Sequence, residues 1–178
     1  MEYLITSLVK ENAKEYHDSL FKKLDEKFHL KVPISNKPPS HITLKNSFET
    51  DNIKMIENII SAISKKTKSS EVFLTDFNHF RNKEILFIKI EESKEFSQMQ
   101  KEIVTDLSRQ TNLIISNKDR NQRFHLTLAF PKIFNNLDSI WKYMKELNKP
   151  NIKTSINNIS ILKKEEGIWK IHKEFSLL

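Results

Sequence analysis

His41-Ile42-Thr43-Leu44 returns in the second half of the chain as His125-Leu126-Thr127-Leu128. In a β-strand residues i and i+2 share a face, so each copy presents an imidazole and a hydroxyl side by side. Ile42 and Leu44, like Leu126 and Leu128, point the other way and can anchor the strand in a core. Chance gives on the order of 0.3 His-x-Thr triplets in such a chain, and roughly a quarter of those would precede an aliphatic residue. Two copies with matched apolar alternation therefore ask for a shared role.

The elements around the two motifs follow one plan. Residues 2–9 form a strand, and a helix follows with Ala13, Tyr16, Leu20, Leu24 and Phe28 at helical spacing. Pro38-Pro39 forces an extended entry into the first motif strand. Thr50-Asp51 caps a second helix with the stripe Met55, Ile56, Ile59, Ile60 and Ile63. Strands around 71–78 and 84–90 come next, joined by Asn78-His79-Phe80-Arg81-Asn82. Ser93 then opens a helix with Phe96, Met99, Ile103 and Leu107 facing inward, and the polar stretch Ser116–Gln122 leads to the second motif strand, which Pro131 helps to end. A helix carrying Leu137, Ile140, Trp141, Met144 and Leu147 follows, and strands at 154–163 and 168–177 close the chain across Lys164-Glu165-Glu166-Gly167. Each half is helix, motif strand, helix, two strands. The expected fold is α+β: one bilobal domain over residues 1–178, its two pseudo-symmetric lobes each an antiparallel sheet flanked by helices, with the motifs meeting in a central cleft.

Composition narrows the chemistry. The 178 residues suffice for one domain, and twelve Phe with 38% hydrophobic content can fill its interior. No apolar run reaches membrane-spanning length, and Tyr3-Leu4-Ile5 is too short for a signal peptide. Cysteine is absent, which excludes disulfides and thiolate metal sites and fits a reducing cytoplasm. The single glycine, Gly167, excludes both the P-loop and the dinucleotide-binding fingerprint. The net charge of +7 suits a polyanionic partner, but nearly all of it is Lys; the only arginines are Arg81, Arg109, Arg120 and Arg123.

A phosphodiester is cleaved when one group takes a proton from the attacking oxygen and another protonates the leaving oxygen. Histidine suits both roles, since its ordinary pKa near 6.5 populates both forms around neutrality, and each transfer is typically worth ~10²–10⁴ in rate. The attacking and leaving oxygens lie on opposite sides of phosphorus, so one imidazole is needed on each side. The threonine hydroxyls can bind the non-bridging oxygens. No carboxylate cluster is evident to hold a metal, and neither metal nor cofactor is expected. Strand parity places Lys45 with His41 and Thr43, and Arg123 with His125 and Thr127, as further phosphate contacts. His17, His29 and His172 are expected at the surface, His79 at the border of a cleft, and Trp141 and Trp169 in the core.

The paired motifs, their place in each half and the duplicated element order resemble the 2H (two-histidine) phosphoesterase superfamily, which includes RNA 2′,3′-cyclic phosphodiesterases and 2′-5′ RNA ligases. The resemblance spans essentially the whole chain. It implies that His41 and His125 are the catalytic pair and that Thr43 and Thr127 bind phosphate. Two places depart from the common pattern: Phe130-Pro131-Lys132 follows the second motif, where many members carry a basic residue sooner, and Ser40 precedes the first histidine. The expected activity is metal-independent hydrolysis of a 2′,3′-cyclic phosphate or a 2′-5′ linkage in RNA or an oligonucleotide by a cytoplasmic monomer. Hydrolysis of a cyclic di- or oligonucleotide signal or small cyclic nucleotide is a second reading, and non-catalytic binding of RNA ends a third.

Overall fold

A computed structural model describes residues 1–30, 38–80, 85–129 and 137–178. Arg81 and Asn82 of the expected connection, and Phe130-Pro131-Lys132, lie outside the described residues. The elements run β1 (Glu2–Leu8), α1 (Glu11–Phe28), β2 (His41–Glu49), α2 (Ile53–Ser64), β3 (Ser70–Phe80), β4 (Ile85–Glu92), α3 (Lys94–Gln110), α4 (Asn117–Arg120), β5 (His125–Ala129), α5 (Leu137–Glu146), β6 (Ile152–Ile156), β7 (Asn158–Glu165) and β8 (Ile168–Ser176).

Both motifs open strands, and their apolar residues do what alternation demands. Ile42, Leu44 and Leu126 have no exposed surface and Leu128 has almost none, while His41, Thr43, His125 and Thr127 keep partial exposure. Burying each such aliphatic side chain stabilises the fold by about 1.5–3 kcal/mol. Helix α3 starts as expected, with the Ser93 hydroxyl accepting from the Phe96 N–H. Helix α2 starts one residue later than expected: Asn52, not Thr50-Asp51, accepts from the Met55 N–H, and the Thr50 hydroxyl accepts from the Asn52 N–H. Three further bounds differ. Asn78, His79 and Phe80 belong to β3 rather than to a connection, the 116–122 stretch contains α4, and the expected strand 154–163 is two strands meeting at Asn157.

The strands form one sheet in the order β6-β3-β4-β5-β2-β1-β7-β8, antiparallel throughout. The two lobes are the halves of this sheet, and they interleave the chain. The hairpin β3–β4 from the first half of the sequence flanks the second motif strand, β5, while β7–β8 from the second half joins β1 and the first motif strand, β2. The halves meet where β2 pairs with β5 through Ile42 and Leu126. Helix α1 packs on β5 and β6; α2 and α3 pack on each other, α2 against β7 and β8 and α3 against β2 and β3. One contiguous apolar core runs beneath both lobes, and a smaller cluster of Leu4, Leu8 and Leu162 is covered by Trp169.

Candidate active site

The antiparallel pairing of Ile42 with Leu126 brings the two motifs side by side at the centre of the sheet. Counting outward along the strands sets His41 across from Thr127 and His125 across from Thr43. The two imidazoles are held in the same way. His41 Nδ1 donates to the Pro39 carbonyl at 2.6 Å, and His125 Nδ1 donates to the Arg123 carbonyl at 2.7 Å. A carbonyl oxygen only accepts, so Nδ1 carries the hydrogen in both rings and Nε2 is the basic nitrogen of the neutral form. In each motif the residue two positions upstream sets the tautomer.

Burial pushes His41 down to about 4; the Pro39 carbonyl works against this, and His17 and His125 lower it further. At neutral pH His41 is therefore uncharged. Around His125 the walls are aromatic: its ring centroid lies 5.3 Å from that of Phe80 in an edge-on contact and 5.0 Å from that of Phe87, and Phe80 stacks on Phe87 at 4.5 Å. A cleft of about 410 Å³ opens beside it, and its lining includes Phe80, Phe87, Lys89, Arg123, Phe124 and His125. Arg123, which strand parity puts with His125, has an exposed side chain at this cleft.

For Lys45 the structure requires a correction. Its side chain is 2% exposed and its ammonium pairs with Asp119 at 3.2 Å, so it is not available to a phosphate in the cleft. Asp119 is the hub of a buried network. It accepts from the Asn46 backbone and side chain at 2.9 and 2.8 Å, and from the Ser116 N–H and hydroxyl at 2.9 and 2.6 Å. Burial raises its pKa, but the hydrogen bonds from Ser116 and Asn46 outweigh that and hold it at about 2. Gln122 donates to the Thr43 carbonyl at 3.1 Å, and Gln100 donates to the carbonyls of Leu44 and Asp119 at 3.1 and 2.7 Å. These bonds fasten the 116–122 stretch along β2 and so deliver Arg123 and His125 to the side of the first motif.

His17 also departs from expectation. It is 1% exposed and bonds to the Thr127 carbonyl of β5 and to the hydroxyl of Ser40, the residue just before β2. Its signal was the spacing Ala13, His17, Leu20, Leu24, the buried face of α1, whereas Tyr16 and Phe28 are only partly buried. His29 is exposed at the left-handed C-terminus of α1, and His172 is an exposed residue bonded to Glu57. His79 lines the cleft and packs against Trp141 at 4.5 Å. Among the described residues no group of three or more His, Cys, Asp or Glu side chains could hold a metal ion.

The family model of the 2′-5′ RNA ligase superfamily matches residues 12–168. The chain belongs to this superfamily. The resemblance to two-histidine phosphoesterases carried by the motifs is thereby established. Solved structures of the fold agree along the whole length. TT0787 of Thermus thermophilus superposes with a TM-score of 0.71 at 15% identity, covering 99% of this chain and 98% of that one. LigT of E. coli, in its complex with 3′-AMP, gives 0.68 at 12% identity over 99% and 97% of the two chains. Usb1 of Kluyveromyces marxianus gives 0.51 at 12% identity, again over 99% and 97%. At such identities the likeness is one of fold. No curated protein matches the chain by sequence. In this superfamily member no helix among the described residues is long and apolar enough to cross a membrane.

Proposed function

We propose that this member of the 2′-5′ RNA ligase superfamily is a phosphodiesterase that hydrolyses a 2′,3′-cyclic phosphate or a 2′-5′ linkage in RNA or an oligonucleotide, with His41 and His125 as its acid–base pair. The observation that carries the reading is the matched pair of Nδ1–H bonds to the carbonyls of Pro39 and Arg123, on strands paired at Ile42 and Leu126. Each ring is fixed so that Nε2 is the nitrogen that exchanges a proton.

His41, neutral down to a pH of about 4, is suited to take the proton from an attacking water. The water oxygen bonds to phosphorus, the bond from phosphorus to the 2′ or 3′ oxygen breaks, and His125, protonated at Nε2, supplies the proton to that leaving oxygen. Thr43 and Thr127 donate hydroxyl hydrogen bonds to the non-bridging oxygens, whose charge grows in the transition state. Arg123 offers a forked guanidinium to the same or an adjacent phosphate. The aromatic wall of Phe80, Phe87 and Phe124 beside His125 supports a nucleotide as the group next to the scissile bond.

The test incubates EDTA-treated protein with RNA oligonucleotides ending in a 2′,3′-cyclic phosphate, with 2′-5′-linked oligonucleotides and with cyclic dinucleotides, and identifies the products. Opening of the cyclic phosphate or scission of the 2′-5′ bond supports the reading. Turnover of cyclic dinucleotides alone replaces its substrate, and binding without turnover removes the catalytic claim.

A further inference from the structure

We propose that His17 is a positioning residue for the candidate catalytic pair, an imidazole on α1 whose two ring nitrogens tie the second motif strand to Ser40, the residue that leads into the first. The inference rests on the reading of His41 and His125 as the acid–base pair. His17 Nε2 donates to the Thr127 carbonyl at 2.8 Å, and His17 Nδ1 lies 2.9 Å from the hydroxyl of Ser40, the residue just before His41. Among the described residues the register between β2 and β5 is carried by Ile42 and Leu126. The seam between the half-sheets is thus thin where the two imidazoles must keep a fixed separation, and His17 crosses it.

The protons can be placed from the partners. The Thr127 carbonyl only accepts, so Nε2 carries a hydrogen. When His17 is neutral, Nδ1 must accept, and the Ser40 hydroxyl spends its one hydrogen there. When His17 is charged, Nδ1 donates to Ser40, whose hydrogen turns to Asp18 Oδ1 at 3.1 Å. The groups bearing on His17 include Asp18 on its own helix, Ser40 just before the first motif, His41 within it, and Thr127 from the second. Leucine here would complete the Ala13–Leu20–Leu24 stripe with no polar atom to desolvate. What the imidazole adds is two directional bonds, one to the second motif and one to the residue that precedes the first. When charged it also bears on the site, since His17 is among the groups that hold His41 below its ordinary range, after burial.

The experiment compares wild type with His17→Leu and Ser40→Ala. It measures steady-state kinetics on an oligonucleotide ending in a 2′,3′-cyclic phosphate, and follows the His41 titration by imidazole ¹⁵N NMR. The expected result for His17→Leu is a ten- to hundredfold lower kcat, a KM within twofold of wild type and an upward move of the His41 midpoint from about 4. Ser40→Ala, which removes one of the two bonds, should lower kcat threefold to tenfold. Wild-type kcat in His17→Leu would reduce His17 to packing and overturn the proposal; should that variant not fold, an unchanged kcat in Ser40→Ala overturns it instead. If the wild type cleaves no phosphodiester, the functional reading fails separately, and an unmoved or lowered His41 midpoint in His17→Leu then decides against His17.

Discussion

An imidazole near 4 changes what the pH profile should look like. Two histidines titrating near neutrality would give a narrow bell, but burial of His41 moves the acid limb of kcat/KM down to about pH 4. The measurement is kcat/KM from pH 3.5 to 9, and an acid limb centred near 6.5 would show that His41 is not the base. The same shift has a stability consequence. His41 binds its proton at about 4 when folded and at about 6.5 when unfolded, so the unfolded state takes up more protons between those values. Folding stability should therefore fall as pH drops through that window, by up to about 1.4 kcal/mol per pH unit from this group, and urea melts of His41→Gln should be flatter there. His41→Ala and His125→Ala should each lower turnover by about 10²–10⁴ with the fold intact, whereas Thr43→Ala or Thr127→Ala, each removing one proposed hydrogen bond to a charged oxygen, should cost about 1.5–3 kcal/mol. Arg123→Ala should cost tenfold or more in kcat/KM, about 1.4 kcal/mol. Lys164 of the closing hairpin, which pairs with Glu2 of β1, serves as the control: equal effects of Lys164→Ala and Arg123→Ala would remove Arg123 from the phosphate contacts.

At the scale of elements, the 116–122 stretch shows how a polar segment can be as firmly placed as a strand. Its only short helix, α4, is closed by a capping box between Ser116 and Asp119, and the same Asp119 anchors Lys45 and Asn46 of β2. Asp119→Ala should leave the Lys45 ammonium buried without its counter-charge, a loss of about 3–5 kcal/mol measured by urea denaturation. Pairing that change with Lys45→Met should recover much of the loss, because the uncompensated charge is gone. A second polar tie joins α2 to β8, where Glu57 is held down to about 2 by Lys173 and His172. The parity argument for Lys45 failed at this scale. Strand alternation places a side chain on a face only while the pleat is regular, and β2 pairs with β1 through shifted register next to Lys45.

For the whole molecule, the interleaving of strands makes a mechanical prediction. Each lobe contains strands from both halves of the sequence, and α1 at the start packs on β6 near the end. We propose that residues 1–178 form one bilobal domain, so heat or urea should unfold it in a single transition seen alike by far-ultraviolet circular dichroism and Trp fluorescence. Trp141 and Trp169 lie in different parts of the molecule, on α5 and β8, which makes the second probe sensitive to separate melting. Two resolved transitions would mean that the lobes are independent units. On the proposed mechanism, in which two imidazoles supply both proton transfers, activity should also survive chelation; a requirement for added divalent metal would overturn it.

The longer helices, the motif strands and their buried residues Ile42, Leu44, Leu126 and Leu128 follow from the sequence, because period-2 alternation and helical spacing are local properties that each segment carries by itself, whereas the short α4 and the break between β6 and β7 do not show in either period. The pairing of two remote His-x-Thr copies was likewise legible, since one pattern repeated asks for one place. Which strands share a lobe was not: β3 and β4 pair with each other wherever the hairpin goes, and only the packing of the sheet sets them beside β5 rather than β2. Charge and burial at single residues were decided at the same level. Lys45 and His17 carry polar groups that sequence reasoning sends to the surface or the cleft, and only tertiary structure supplies Asp119, Ser40 and the Thr127 carbonyl, the partners without which neither could remain buried.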